Sequence, residues 1–295
     1  MSRVECVGVL GAGQMGAGIA QVAAVAGYAT VVREVAQPVL DRARAGIQKS
    51  LDKFIEKGKL TTADRDAALA RLTFTTDIAA LAAADLVIEA VPEDLALKNG
   101  LWREVDGLCS ERTIFASNTS SLTIGAMADA TSRPDRFVGL HFFNPVPLMP
   151  LVEVIRGTRT SPATMETALA FGRSLGKEVV AAEDRPGFVV NRLLVPYLLD
   201  AMRALEKGVA TTGDIDTAMK LGAGHPMGPL MLADMVGNDT LLRVAEIMFA
   251  EYREAAYAPP AVLQRLVAAG QLGRKSGKGF YDYSVEPPRA VAVDS

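Results

Sequence analysis

Histidine and cysteine are both scarce in this chain: two of each occur in 295 residues, with a single tryptophan. Cys6 and Cys109 alone cannot build a disulfide framework, which points to a reducing compartment. CxxC and HExxH spacings are absent, so no metal site is expected. A basic surplus is lacking as well. The formal net charge of −3 leaves no electrostatic footprint for nucleic acid or an acidic membrane surface. Long apolar runs are missing too. The most apolar stretch, residues 15–32, carries Gln21 and is broken by Gly27; it reads as a buried helix and a strand, not a membrane span. The opening MSRVECVGVL lacks the pattern of a cleaved secretion signal. These absences describe a cytoplasmic protein with no nucleic-acid or membrane partner.

What is present is an ordinary globular composition, 49% hydrophobic and 22% charged, long enough for one large domain or two. Short β-rich runs at 4–10, 29–32, 85–91, 113–118, 136–143, 151–155 and 177–183 alternate with helical patterns. Residues 14–26 form one such pattern. In the next, Leu40, Ala43, Ile47, Leu51 and Phe54 recur three or four apart. Alternation of this kind predicts an α/β fold with a mainly parallel sheet covered on both faces. After EDRPGF (183–188) the strands stop until the extreme end, and helices are expected at 188–207, 212–221, 228–250 and 260–269. Pro196 is expected to kink or bound the first of them. The chain therefore divides into a Rossmann-type domain, 1–184, and an all-helical domain, 185–295, with DRPG at the boundary.

VGVLGAGQMGAGIAQ sets Gly11, Gly13 and Gly16 in the first strand-to-helix turn. Gly11 permits the tight turn, Gly13 admits a pyrophosphate to the backbone, and Gly16 lets helix and strand approach closely. The helix start at Gln14 and Met15 supplies N–H donors to phosphate. An acid is expected about 20 residues on, to accept from the adenosine ribose, and Glu34 stands there. It favours NAD; Arg33 beside it leaves NADP possible.

His141 ends the 136–143 run, in LHFFNP. A lone histidine among apolar residues is more often a hydrogen-bonded core residue than a reactive one. Here it falls at a carboxyl strand end, where the reacting group of such a fold belongs. Neutral imidazole can take a proton from an alcohol as hydride leaves its carbon. Glu153 can orient it if NPVPLMP turns the chain back beside the strand. SNTSS (117–121) ends a neighbouring strand with hydroxyl and amide groups, and Asn191 opens the second domain. His225, in GHPMGP, reads as structural.

GAGQMGAGIAQ, DLVIEAVPED, ASNTSSL, GLHFFNPVPLMPLVEVIRG, RPGFVVNRLL, LGAGHPMGPL and GRKSGKGFYDY occur in that order. With these motifs the chain resembles the 3-hydroxyacyl-CoA dehydrogenase family over nearly its whole length. The resemblance implies oxidation of an L-(3S)-hydroxyacyl-CoA to a 3-ketoacyl-CoA, or the reverse. It implies His141 as catalytic base, Glu153 as its carboxylate partner, and Ser120 and Asn191 on the substrate oxygen. It places Glu93, Lys98, Ser120, Asn144 and Lys275 with the Gly loop and Glu34 on the cofactor, and Ser50 and Lys57 on CoA. A homodimer through the helical domain is implied as well. Two other readings stay open from the residues alone: a dehydrogenase of a free hydroxy or sugar acid, and a non-catalytic dinucleotide-binding protein on the same fold.

Overall fold

Val7, Val9 and Leu10 are fully buried in β1 (Cys6–Leu10), an inner strand of an eight-stranded sheet. The computed structural model describes residues 4–291, and the chain divides after Phe188 into two compact units. In the first, β1 is followed by α1 (Gln14–Val25), β2 (Ala29–Arg33), α2 (Gln37–Glu56), α3 (Thr62–Ala70), β3 (Leu72–Thr75) and β4 (Leu86–Glu89). Next come α4 (Leu95–Leu108), β5 (Ile114–Ser117), α5 (Ile124–Ala128), β6 (Phe137–Phe142), β7 (Leu151–Arg156), α6 (Pro162–Ser174) and β8 (Glu178–Glu183). The strand order is β3-β2-β1-β4-β5-β6-β7-β8. Strands β1 to β6 run parallel; β7 turns back antiparallel to β6, and β8 runs parallel to β7.

Successive strand side chains point to opposite faces, and the core divides accordingly. Val9, Ile88, Ala116 and Leu140 pack with Ile19 of α1, Leu40, Ile47 and Leu51 of α2, and Met165 and Phe171 of α6. Leu10, Val87, Phe115 and Phe137 face the other way, onto Trp102 and Val105 of α4 and Met127 of α5. Both faces are covered, as the near-continuous apolar strands demand. The α2 stripe read from the sequence is buried at Leu40, Ala43, Ile47 and Leu51, while Phe54 is only half-buried.

Strand β3 was not among the expected runs. It is four residues long, an edge strand, and half polar, so it lacks the apolar signal that buried neighbours impose on an inner strand.

The second unit contains α7 (Val190–Glu206), α8 (Thr212–Gly222), α9 (Pro229–Val236), α10 (Asn238–Tyr252) and α11 (Ala261–Ala268), with a short hairpin β9 (Tyr281–Asp282) and β10 (Arg289–Ala290). The sequence predicts one helix over 228–250; the chain instead breaks at Gly237, φ +98°. Apolar periodicity runs through the break, so glycine was its only local sign. Pro196 lies inside α7 rather than at its boundary. An interior proline costs about 3 kcal/mol. Burial of Val195, Leu198, Leu199 and Met202 around it offsets that at about 1.5–3 kcal/mol per side chain.

Asp234, 1% exposed, ties the C-terminal segment to these helices. Its carboxylate accepts from the backbone N–H groups of Phe280 and Tyr281 and from the Asn238 side chain. Burial pushes this carboxyl above its ordinary value. His225 packs in the α8–α9 turn, its Nδ1 2.9 Å from the Tyr197 hydroxyl. Among the described residues, no helix is long and apolar enough to cross a membrane.

Candidate active site

The Gly loop is built by close approach. Gly11 has φ +94°, and its N–H donates to the Arg33 carbonyl at 2.9 Å, so the loop is sewn to the end of β2. Gly13 caps α1 without a side-chain bond, and nothing lies within 4 Å of where its Cβ would stand. The N–H groups of the first turn, beginning at exposed Gln14 and half-buried Met15, are therefore open to an anion. A Cβ on Gly16 would overlap the Gly11 carbonyl. Gly16→Ala is expected to push α1 off β1 at a strain of about 1–3 kcal/mol. Dinucleotide affinity should fall roughly 5- to 150-fold in a fluorescence titration; an unaltered Kd would contradict this account of the loop. Glu34 follows β2, and its carboxylate accepts from Ala12 N–H at 3.1 Å and Val35 N–H at 2.8 Å. The acid is thus held over the loop, where a carboxylate can accept from ribose hydroxyls, and Arg33 beside it is half-buried.

His141 and Glu153 are direct partners in the β6–β7 ladder. The turn through NPVPLMP brings them together: imidazole Nδ1 lies 2.6 Å from Glu153 Oε2. Glu153 is fully enclosed and His141 is 5% exposed. Phe143 and Phe188 flank the imidazole, with ring centroids 4.5 and 5.5 Å from it. With Nδ1–H donated to the carboxylate, Nε2 is the nitrogen left to exchange a proton.

Ser120 is half-buried in the loop after β5. That loop is joined to the histidine strand by Asn118, whose Oδ1 accepts from Phe142 N–H at 2.9 Å. Glu93 gathers the loop. Its Oε1 accepts from Ser121 Oγ at 2.8 Å, from Ser120 N–H at 3.3 Å, and from the Thr119 hydroxyl. Its Oε2 lies 3.1 Å from Lys98 Nζ. Burial pushes the Glu93 carboxyl up, but the Lys98 charge and these hydrogen bonds outweigh it and hold the group below its ordinary value. Lys98 is 1% exposed and turned inward, 2.6 Å from Glu89 as well.

Glu89, Phe188, Lys177 and Asp184 carried no role in the sequence, and Ser117 and Asn118 entered only as part of SNTSS. Lys177 donates to the carbonyls of Val146 and Met149, each at 2.7 Å, and so pins the turn between the His141 and Glu153 strands. Burial pushes its ammonium below the usual lysine value. Asp184 accepts from Ile124 and Gly125 N–H at 2.8 Å, closing the far end of the Ser120 loop. Only Glu89 left a local sign: an acid at the end of the apolar run DLVIEAV.

Asn144 is exposed just beyond β6. Ser50 lies inside α2, whereas Lys57 is its C-cap, exposed, one residue past the helix end. Asn191 is the second residue of α7, half-buried. Lys275, also in the second unit, pairs with Asp239 at 2.5 Å. Among the described residues no cluster suits a metal ion.

A glycine loop at the head of a parallel sheet, an acid after the second strand and a buried His–Glu pair at the strand ends define a nicotinamide-dependent dehydrogenase. Residues 6–185 match the 3-hydroxyacyl-CoA dehydrogenase NAD binding domain, and 187–283 match the C-terminal domain of the same enzymes. The chain belongs to the 3-hydroxyacyl-CoA dehydrogenase family, and its cofactor is NAD. It is 51% identical over 282 residues to a 3-hydroxybutyryl-CoA dehydrogenase of Mycobacterium tuberculosis, covering 95% of this chain and 99% of that protein. It is 48% identical over 289 residues to the human mitochondrial hydroxyacyl-coenzyme A dehydrogenase, covering 95% and 91% respectively. The crystal structure of (S)-3-hydroxybutyryl-CoA dehydrogenase from Ralstonia eutropha is similar with a TM-score of 0.93 at 46% identity, over 96% of this chain and 100% of that one.

Proposed function

We propose that this chain interconverts (3S)-3-hydroxybutyryl-CoA and acetoacetyl-CoA, with His141 as the proton-transfer group. The observation that carries the reading is the enclosed His141–Glu153 pair, which a protein that only binds a dinucleotide has no use for. Bound NAD supplies the hydride acceptor in oxidation and, as NADH, the donor in reduction. In oxidation His141 Nε2 takes the proton of the 3-hydroxyl, and Glu153 stabilises the imidazolium formed. In reduction the same nitrogen returns a proton to the carbonyl oxygen. The Ser120 hydroxyl holds that oxygen where charge develops. Asn191 is assigned to the same oxygen, and Lys275 to the cofactor, from the motifs RPGFVVNR and GRKSGKGF. Asn144, Glu93 and Lys98 belong to the cofactor set on the same footing, and Ser50 and Lys57 to CoA. A homodimer through the helical unit and a cytoplasmic location complete the proposal.

The test is oxidation of NADH and NADPH by acetoacetyl-CoA, followed at 340 nm, with free acetoacetate as the comparison. Turnover is expected with NADH and the thioester, and little with the free acid. Ser50→Ala combined with Lys57→Ala should raise KM for acetoacetyl-CoA about three- to tenfold, the worth of a hydroxyl hydrogen bond and one exposed charge. Preference for the free acid would overturn the substrate assignment. Inactivity toward every 3-ketoacyl-CoA would favour a binding role.

A further inference from the structure

Glu89 ends β4 with no exposed surface, and Lys98 reaches it from α4 with 1% exposed. Burying such a pair is costly, and a well-packed apolar pair of similar volume would fold as well or better. The network around it shows what the charges hold. Glu89 Oε1 accepts from Lys98 Nζ at 2.6 Å and Val91 N–H at 2.8 Å, and Oε2 accepts from Ser117 Oγ at 2.6 Å. Lys98 Nζ in turn lies 3.1 Å from Glu93 Oε2, whose other oxygen gathers Thr119, Ser120 N–H and Ser121. Ser117 Oγ also accepts from Thr119 N–H at 3.2 Å, and Thr119 Oγ1 accepts from Leu122 N–H at 3.0 Å. Four hydroxyls occur in residues 117–121. Three are consumed within this network, and that of Ser120 alone has no partner among the described residues.

We propose that Glu89 is a positioning residue for the reaction: with Lys98 it fixes Glu93, and so aims the one uncommitted hydroxyl of the loop, Ser120, at the substrate oxygen. Glu89 acts through Lys98 and Ser117 and does not touch substrate. The kinetic half of this inference rests on the function proposed above; the positional half does not.

Glu89→Gln keeps volume and, through its amide oxygen, the Val91 contact, reverses the Ser117 bond so that the amide NH2 donates, and removes the charge that holds Lys98. Two readouts are needed: hydrogen exchange of the 118–122 amides, and kcat and KM with NADH and acetoacetyl-CoA. Loop amides are expected to exchange at least tenfold faster while those of β1 and β5 stay unchanged. Turnover should fall roughly 10- to 100-fold, as for a misplaced reacting group, with KM for NADH within about threefold. If the single variant does not fold, Glu89→Asp, which keeps the charge but shortens the reach to Lys98 by one methylene, takes the same measurements. Unchanged loop exchange and turnover overturn the proposal. So does exchange that rises equally in the sheet, which marks a merely structural role. Faster loop exchange in a protein whose parent cannot reduce any 3-ketoacyl-CoA retains the positioning and removes the substrate assignment.

Discussion

His141→Gln is expected to reduce acetoacetyl-CoA roughly 10²–10⁴ times more slowly than the parent, the usual contribution of a positioned general acid–base. At 1.36 kcal/mol per decade this is about 3–5 kcal/mol of barrier. The side chain is 5% exposed and wedged between two phenylalanine rings, so glutamine is preferred to alanine, which would leave a cavity. Binding of NADH should stay within twofold, because the Gly loop and Glu34 lie on other strands. The measurement is kcat in stopped flow alongside NADH titration by fluorescence. Near-parental turnover in a folded His141→Gln variant would remove the histidine from the chemistry.

A loss of similar size, on the order of 10²–10⁴, is expected for Glu153→Gln, although Glu153 touches no substrate. Two effects add. The amide brings no charge to neutralise the imidazolium formed in oxidation. It can also turn its NH2 toward Nδ1, which would select the tautomer with a proton already on Nε2, useless as a base. Glu153 is fully enclosed, so no solvent substitutes for the missing carboxylate. NADH affinity should be retained while kcat collapses. A variant that keeps its turnover would show that the imidazole orients itself.

Much of this was legible in the sequence because it depends on local rules. The Gly loop, the acid after β2, and the apolar strand runs announce the fold without knowledge of any long-range contact. The His141–Glu153 pair was legible only conditionally. It needed NPVPLMP to reverse the chain, which it does. Strand β3 was missed because an edge strand is not required to be apolar, and the break at Gly237 because its flanks share one apolar period. The Glu89–Lys98–Glu93 network was missed for a different reason. Its members come from β4, its following loop, α4 and the end of β5, and nothing in one segment says which hydroxyl of another it will meet. A charge ending an apolar strand was the sole advance sign, and it identified the place without the partners.

The β6–β7 pairing has one more consequence, for tolerance to change. His141 and Glu153 are twelve positions apart along the chain, yet their meeting depends on the ladder between Gly139↔Ile155 and Phe142↔Val152. A slip by one residue would swing Glu153 to the opposite face, against Leu140, Phe142 and Phe171, as an unpaired charge. The His141–Glu153 pair is therefore protected by the same apolar side chains that make the sheet fold. The exposed side chains of Leu148 and Met149 take no part in that ladder, so their identity can vary while Lys177, through the Met149 carbonyl, keeps the turn and the pair in register.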